Sequence, residues 1–309
     1  MYCSAVGRVL VDHLSFGLAL GPASLAFDPT AQNLTRIISK RTVSLIVGRL
    51  RGEAISRLRF IAETYPLLFV IALAVLQPIL AIPFVVAIRV LGFDLTPLRL
   101  IIPTAQSLFI LWLIWALGFW RISGLSGPVR NVYLLIYPAL VLFVPAVLYG
   151  NVEIAARWAL FYFLAVLATG ISEEGLTRGV AIPLLLKFGK WGAVLLAAVM
   201  FSLGHLTNAF FEDFSVIEWV DKFGATFGFA VLYGALFLRT GSLLPLIFLH
   251  TLADYIYLTS GTAGPFVAEA IDVRIHLALA VANLVVGLYL LTGMREDNLP
   301  AMRSPVPAQ

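Results

Sequence analysis

ISEEGLTRG, residues Ile171–Gly179, is the stretch on which the reading of this chain turns. It sets Glu173, Glu174 and Arg178 within six residues, between the apolar runs WALFYFLAVLATG (Trp158–Gly170) and VAIPLLL (Val180–Leu186). At the depth such runs imply, an ionised side chain costs roughly 3 kcal/mol on insertion scales. A chain that keeps two carboxylates and a guanidinium there either pairs them with one another or uses them.

The apolar setting is general. Of 309 residues, 61% are hydrophobic and 12% charged, and the mean hydropathy is +0.96. Soluble domains average about 45–50% apolar and about 25% charged, so the chain is read as an all-α polytopic membrane protein. The net charge of +4 is what basic cytoplasmic loops give a membrane protein, and no nucleic-acid partner is expected. Cys3 is the single cysteine, which excludes an internal disulfide framework or a cysteine-rich metal cluster. Any metal must be held by histidine and carboxylate.

Around ISEEGLTRG the chain is measured against the ~20 apolar residues needed to cross a bilayer. Eight spans emerge, at about 65–90, 101–120, 131–149, 157–186, 191–208, 223–238, 242–259 and 275–292. Pro78, Pro83, Pro138 and Pro145 fall inside the first and third, where kinks are tolerated in membranes. Gly224 and Gly228 form a small-xxx-small step in the sixth, a pattern for close helix packing. Residues 1–64 form a basic amphipathic extension, with one or two helices over Asn33–Phe60 suited to an anionic membrane surface or a basic arm that fixes topology. Residues 65–292 form the transmembrane domain, and 293–309 a short polar tail. With the amino terminus inside, fifteen Lys/Arg fall on the cytoplasmic side and five outside. The positive-inside bias therefore places both termini in the cytoplasm, and a bacterial cell membrane is the expected location.

The fourth span, at 30 residues, would be ~45 Å long and must tilt, protrude or bend. Gly170, Gly175 and Gly179 are its candidate bend points. Glu174 and Arg178 share a helical face at i, i+4 and are expected to pair. Glu173 lies about 100° away around the helix and is the freer carboxylate.

Two more intramembrane groups belong with these. MFSLGH places Phe201 and His205 on one face of the fifth span, and LHTLAD places His250 and Asp254 on one face of the seventh. A single histidine near a helix end is usually a hydrogen-bonded packing residue. Two of the chain's four histidines inside apolar helices that follow a diacid are a different matter. Counted from Lys187 and Lys190, Glu173 and His205 stand ~21 and ~22 Å up their helices, and His250 and Asp254 stand ~12 and ~18 Å above Ser242. Two imidazoles and a carboxylate make a typical set for catalytic zinc. A further carboxylate, Glu173, can then take the proton of the attacking water. Asp254 is either a ligand or a group that orients a histidine.

The motifs also resemble a known family. EEGLTR resembles the EExxxR signature, FSLGH the FxxxH signature and HTLAD the HxxxN/D signature of the CAAX protease and bacteriocin-processing family. Its members are intramembrane metalloproteases related to the type II CAAX prenyl endopeptidase. The three motifs occur in family order on separate predicted helices, and the resemblance covers about residues 130–260. It implies an eight-helix fold with the site in a membrane cavity and Glu173 as water-activating base. His205, His250 and Asp254 would complete the site and hold a divalent metal, zinc by expectation, with Glu174 and Arg178 in support. The expected activity is endoproteolysis of a membrane-associated peptide or protein. A non-catalytic scaffold or immunity protein and a proton-coupled transporter are the alternatives, although no second copy of the diacid supports the internal repeats common in transporters.

Overall fold

The computed structural model describes residues 52–92, 97–149, 155–206, 215–259, 273–295 and 299. Of the amphipathic segment expected at Asn33–Phe60, residues 33–51 lie outside them, as does most of the C-terminal tail, while residues 52–60 are helical. The chain divides into two units, Met1–Ala54 and Ile55–Gln309, and the helices below belong to the second.

The described residues are helical almost throughout, with no strand among them. The helices are α1 (Pro66–Leu91), α2 (Leu98–Leu117), α3 (Ile136–Tyr149), α4 (Ala156–Glu174), α5 (Ile182–Leu185), α6 (Gly189–Gly204), α7 (Val216–Thr240), α8 (Leu244–Thr259) and α9 (Val273–Leu291). Among the described residues, five apolar runs are long enough to cross a membrane, and one of them, Ala156–Gly204, spans 49 residues. That run takes in the fourth expected span and most of the fifth, and the shorter apolar helices Val132–Val144 and Leu244–Leu258 match the third and seventh. Each expected span thus has a helical counterpart, and the chain is an all-α polytopic membrane protein.

Two boundaries differ from the sequence reading. The fourth span is not one regular helix. Its pitch widens into a π-helical segment at Gly175–Ala181, returns to α for Ile182–Leu185 and tightens to a 3-10 turn at Leu186–Phe188. The sixth span starts at Val216, ahead of the expected 223, because Ser215 caps it. Glu218 N–H donates to Ser215 Oγ at 3.4 Å and Ser215 N–H to Glu218 Oε2 at 2.6 Å, the reciprocal capping box. Glu218, Asp221 and Lys222, expected in a loop, therefore lie in the first two turns of α7.

Packing positions the site. α7 is the hub, with α9 and α6 against it, while α4 packs between α2 and α8. At Gly228 a Cβ would come within 2.3 Å of Ala280 O, so glycine is what lets the α7 and α9 backbones meet. Gly224 of the same step has only an ordinary contact, 3.8 Å from Leu277. The core gathers apolar side chains of α2, α5, α6, α7 and α8, among them Ile114, Ile182, Val194, Leu236 and Leu246.

Candidate active site

The diacid ends α4, and the π segment starts at the next residue. Such a segment spreads the backbone ladder from i+4 to i+5, and single π turns inside α-helices recur at functional sites. Here it is seated on α2. A Cβ at Gly175 would stand 2.6 Å from Ile110 Cγ2, and one at Gly179 2.9 Å from Ile114 Cδ1. Two of the expected bend points thus lie in the widened turn and allow close approach, while Gly170 stays within regular α4.

Arg178 is 1% exposed, and its surroundings account for the charge. Nη1 lies 3.1 Å from Glu174 Oε1 and donates to Thr177 Oγ1 at 2.7 Å, while Nη2 donates to Ala230 O at 3.2 Å. The guanidinium carbon stands 5.2, 5.8 and 5.7 Å from the ring centroids of Phe201, Phe229 and Tyr233. A buried guanidinium against aromatic faces gains a cation–π contribution on top of its hydrogen bonds. The expected Glu174–Arg178 pair is present, but it is not closed on itself. Glu174 Oε1 also accepts from His250 Nδ1 at 2.8 Å, across the α4–α8 contact.

That bond fixes the His250 ring. Its Nε2 faces Glu173 Oε2 at 3.7 Å and Asp254 Oδ2 at 3.6 Å. Phe229 supports the ring edge-on, with centroids 5.1 Å apart. The two carboxylates of the diacid differ as their helical phase implied, since Glu174 is 0% exposed and Glu173 28%. Asp254 is more open, at 39%.

His205 is held differently. It caps α6, its Nδ1 lies 2.9 Å from Phe201 O, and its ring packs on Phe201 with centroids 4.8 Å apart. With Nδ1 donating to that carbonyl, Nε2 is the nitrogen left for chemistry. Phe201 also lies 6.5 Å from the His250 ring, so one aromatic side chain links both histidines. Five of the six expected residues, Glu173, Glu174, Arg178, His250 and Asp254, form one contact network. Among the described residues, His205 joins it through Phe201 and makes no hydrogen bond to the carboxylates.

The expected zinc set can be tested on this geometry. The donor types suit zinc, and both histidines have Nδ1 anchored with Nε2 free, as second-shell anchoring requires. Among the described residues, however, no three His, Cys, Asp or Glu side chains are gathered so as to hold a metal ion. His250 Nε2 has carboxylates on two sides, and His205 sits apart. No step below therefore runs through a metal.

The sequence reading passed over α7. Phe229 and Tyr233 wall the guanidinium and His250, and Lys222 lies within electrostatic range of Glu173, His205 and Asp254. Lys222, Thr226, Phe229 and Tyr233 recur at i, i+4, i+7 and i+11, a single helical stripe. That spacing was readable once α7 was known to begin before Lys222.

Residues 155–256 match the family model of type II CAAX prenyl endopeptidase Rce1-like proteins. That segment is similar to the CAAX protease family. The match takes in α4 to α8 and all six expected site residues, about a third of the chain. Neither a curated protein nor a solved structure matches the chain. The CAAX protease family is a protease family, and its model ends within α8, so α1, α2, α3 and α9 lie outside the matched segment.

Proposed function

We propose that this CAAX protease-like chain is an intramembrane endopeptidase that hydrolyses a peptide bond of a membrane-associated protein, with Glu173 as the base. The observation that carries the reading is the division of labour inside the diacid. Glu174 is buried and shared between Arg178 and His250, whereas Glu173 is partly open and has no hydrogen bond from either. A carboxylate within reach of water and not already spent is what general-base work requires.

The chemistry then follows from the donors. A water at Glu173 loses a proton to Oε2, and its oxygen bonds to the substrate carbonyl carbon. The developing oxyanion needs a donor, and His250 in its imidazolium form presents one at Nε2–H, because its Nδ1–H is committed to Glu174. Asp254 faces the same nitrogen and stabilises that charged form. Glu173 passes its proton to the amine nitrogen as the C–N bond breaks and returns to the carboxylate. His205, with Nε2 as acceptor, helps orient the water. The substrate class follows the family's description, a prenylated C-terminal peptide presented from the bilayer.

The test is cleavage of a farnesylated CAAX peptide by the purified protein in proteoliposomes. Glu173→Gln keeps the shape and removes the base, and is expected to lower the rate by about 10²–10⁴-fold with unchanged thermal stability. Full activity in that variant would sink the assignment. Metal is tested on the same sample. Less than one equivalent of zinc per chain and activity that survives chelation are expected, while stoichiometric metal lost with His205→Ala and His250→Ala would restore the zinc set.

A further inference from the structure

Away from the diacid, the C-terminal ends of α7 and α9 enclose a cavity of about 360 Å³. Arg130, Arg239 and Arg295 line it together with the apolar Leu238, Met294 and Leu299, and no carboxylate of the described residues does. Lys190 brings a fourth cation to the edge, since its Nζ donates to Met294 O.

The four cations are not equivalent. Arg239 has a structural task, donating Nε to Leu290 O and Nη2 to Thr292 O, both at 2.8 Å. It thereby satisfies carbonyls at the C-terminal end of α9, where a cation is favoured. Arg130 is anchored by its backbone, whose N–H donates to Thr240 O at 2.9 Å. Its guanidinium lies over Gly241, where a Cβ would come within 2.8 Å of Nη2. Neither Arg130 nor Arg295 forms an ion pair with a carboxylate among the described residues. Several like charges around one concavity repel unless an anion sits between them. A volume near 300–1,000 Å³ is that of a small-molecule site. Guanidinium forks match phosphate oxygens, and the leucines and methionine offer an apolar wall beside them.

We propose that this cavity is a phosphate-binding site that takes the headgroup of an anionic phospholipid at the basic end of the bundle. Free phosphate shares the recognition chemistry. Lipid is favoured because the cavity opens among the ends of membrane-spanning helices, where basic pockets meet acidic headgroups. The site is independent of the proteolytic reading and survives its failure. Glu296 and Asp297 follow Arg295 in sequence and lie outside the described residues, so the test includes them.

The full-length protein is reconstituted in phosphatidylcholine nanodiscs, with or without phosphatidylglycerol or inorganic phosphate. The thermal midpoint and the lipid retained in native mass spectrometry are read for each. Phosphatidylglycerol is expected to raise the midpoint and be retained, and an equal shift by inorganic phosphate would assign the same site to the free ion. Arg130→Gln/Arg295→Gln should lose most of the shift, measured against its own phosphatidylcholine baseline so that a less stable variant remains readable. Arg157→Gln, outside the cavity, should keep the shift. No shift in the parent, or one unchanged in the double variant, overturns the site. Binding that appears only in Glu296→Gln/Asp297→Asn overturns it too, since those carboxylates would then fill it.

Discussion

Glu173 and Glu174 are neighbours in sequence, yet the fold treats them as opposites. On one side of α4, Glu174 joins Arg178 and His250 in a closed, aromatic-walled cage. On the other, Glu173 shares an open face with Asp254 and His250 Nε2. The cage is expensive to build and returns rigidity, because a buried ion pair is held in place by the penalty of leaving either partner alone. The open face is cheaper and less satisfied. The difference teaches that adjacent carboxylates inside a membrane can be unlike, one locked into the structure and the other left open, which is what the proposed mechanism needs.

The strongest way to break that comparison is to open the cage. Arg178→Ala leaves Glu174 buried with one partner fewer, a change that costs about 3–5 kcal/mol when one member of a buried pair is removed. The variant is expected to unfold at lower temperature in detergent and to lose activity with its stability. Glu173→Gln, by contrast, should lose activity alone. Equal thermal stability of Arg178→Ala and the parent would show that the cage does not support the fold.

How much of this the sequence carried can be argued from the same residues. The apolar helices were legible because long apolar runs leave few alternatives, although the third and seventh are shorter than a bilayer requires, and the Glu174–Arg178 pair because i, i+4 geometry is local. The bond from Glu174 to His250 was not, since it joins residues 76 apart and depends on how closely α4 meets α8. Matching depths place His205 and His250 in one layer of a bundle but say nothing of which carboxylates each ring meets, so the grouping expected for zinc could not be read from the sequence. The early start of α7 was legible in principle, as Ser215 and Glu218 spell a capping box, and missing it hid Lys222.

Lys222 offers a smaller perturbation that sharpens the open face without touching the cage. Its charge is within electrostatic range of Glu173, His205 and Asp254, and such an unbonded charge acts more weakly than the contacts of the cage. Lys222→Ala is therefore expected to lower the rate by up to about tenfold and to leave the thermal midpoint unchanged. A cleavage rate unchanged in Lys222→Ala would remove Lys222 from the site.

The smallest expected effect lies in the cage wall. Tyr233 is 1% exposed, and its Oη, like Glu174 Oε2, has no hydrogen-bond partner among the described residues. Its ring is used, at 3.9 Å from Phe229 and 5.7 Å from the Arg178 guanidinium, but its hydroxyl is not. Removing a buried hydroxyl that makes no bond is nearly neutral, whereas removing a bonded one costs about 1 kcal/mol. Tyr233→Phe keeps the aromatic face and is expected to match the parent in thermal midpoint and in cleavage rate. Tyr233→Ala, which takes the wall away, should behave as a milder Arg178→Ala. A Tyr233→Phe protein that keeps its midpoint but loses cleavage would place the hydroxyl in the chemistry and move part of the working face into the cage.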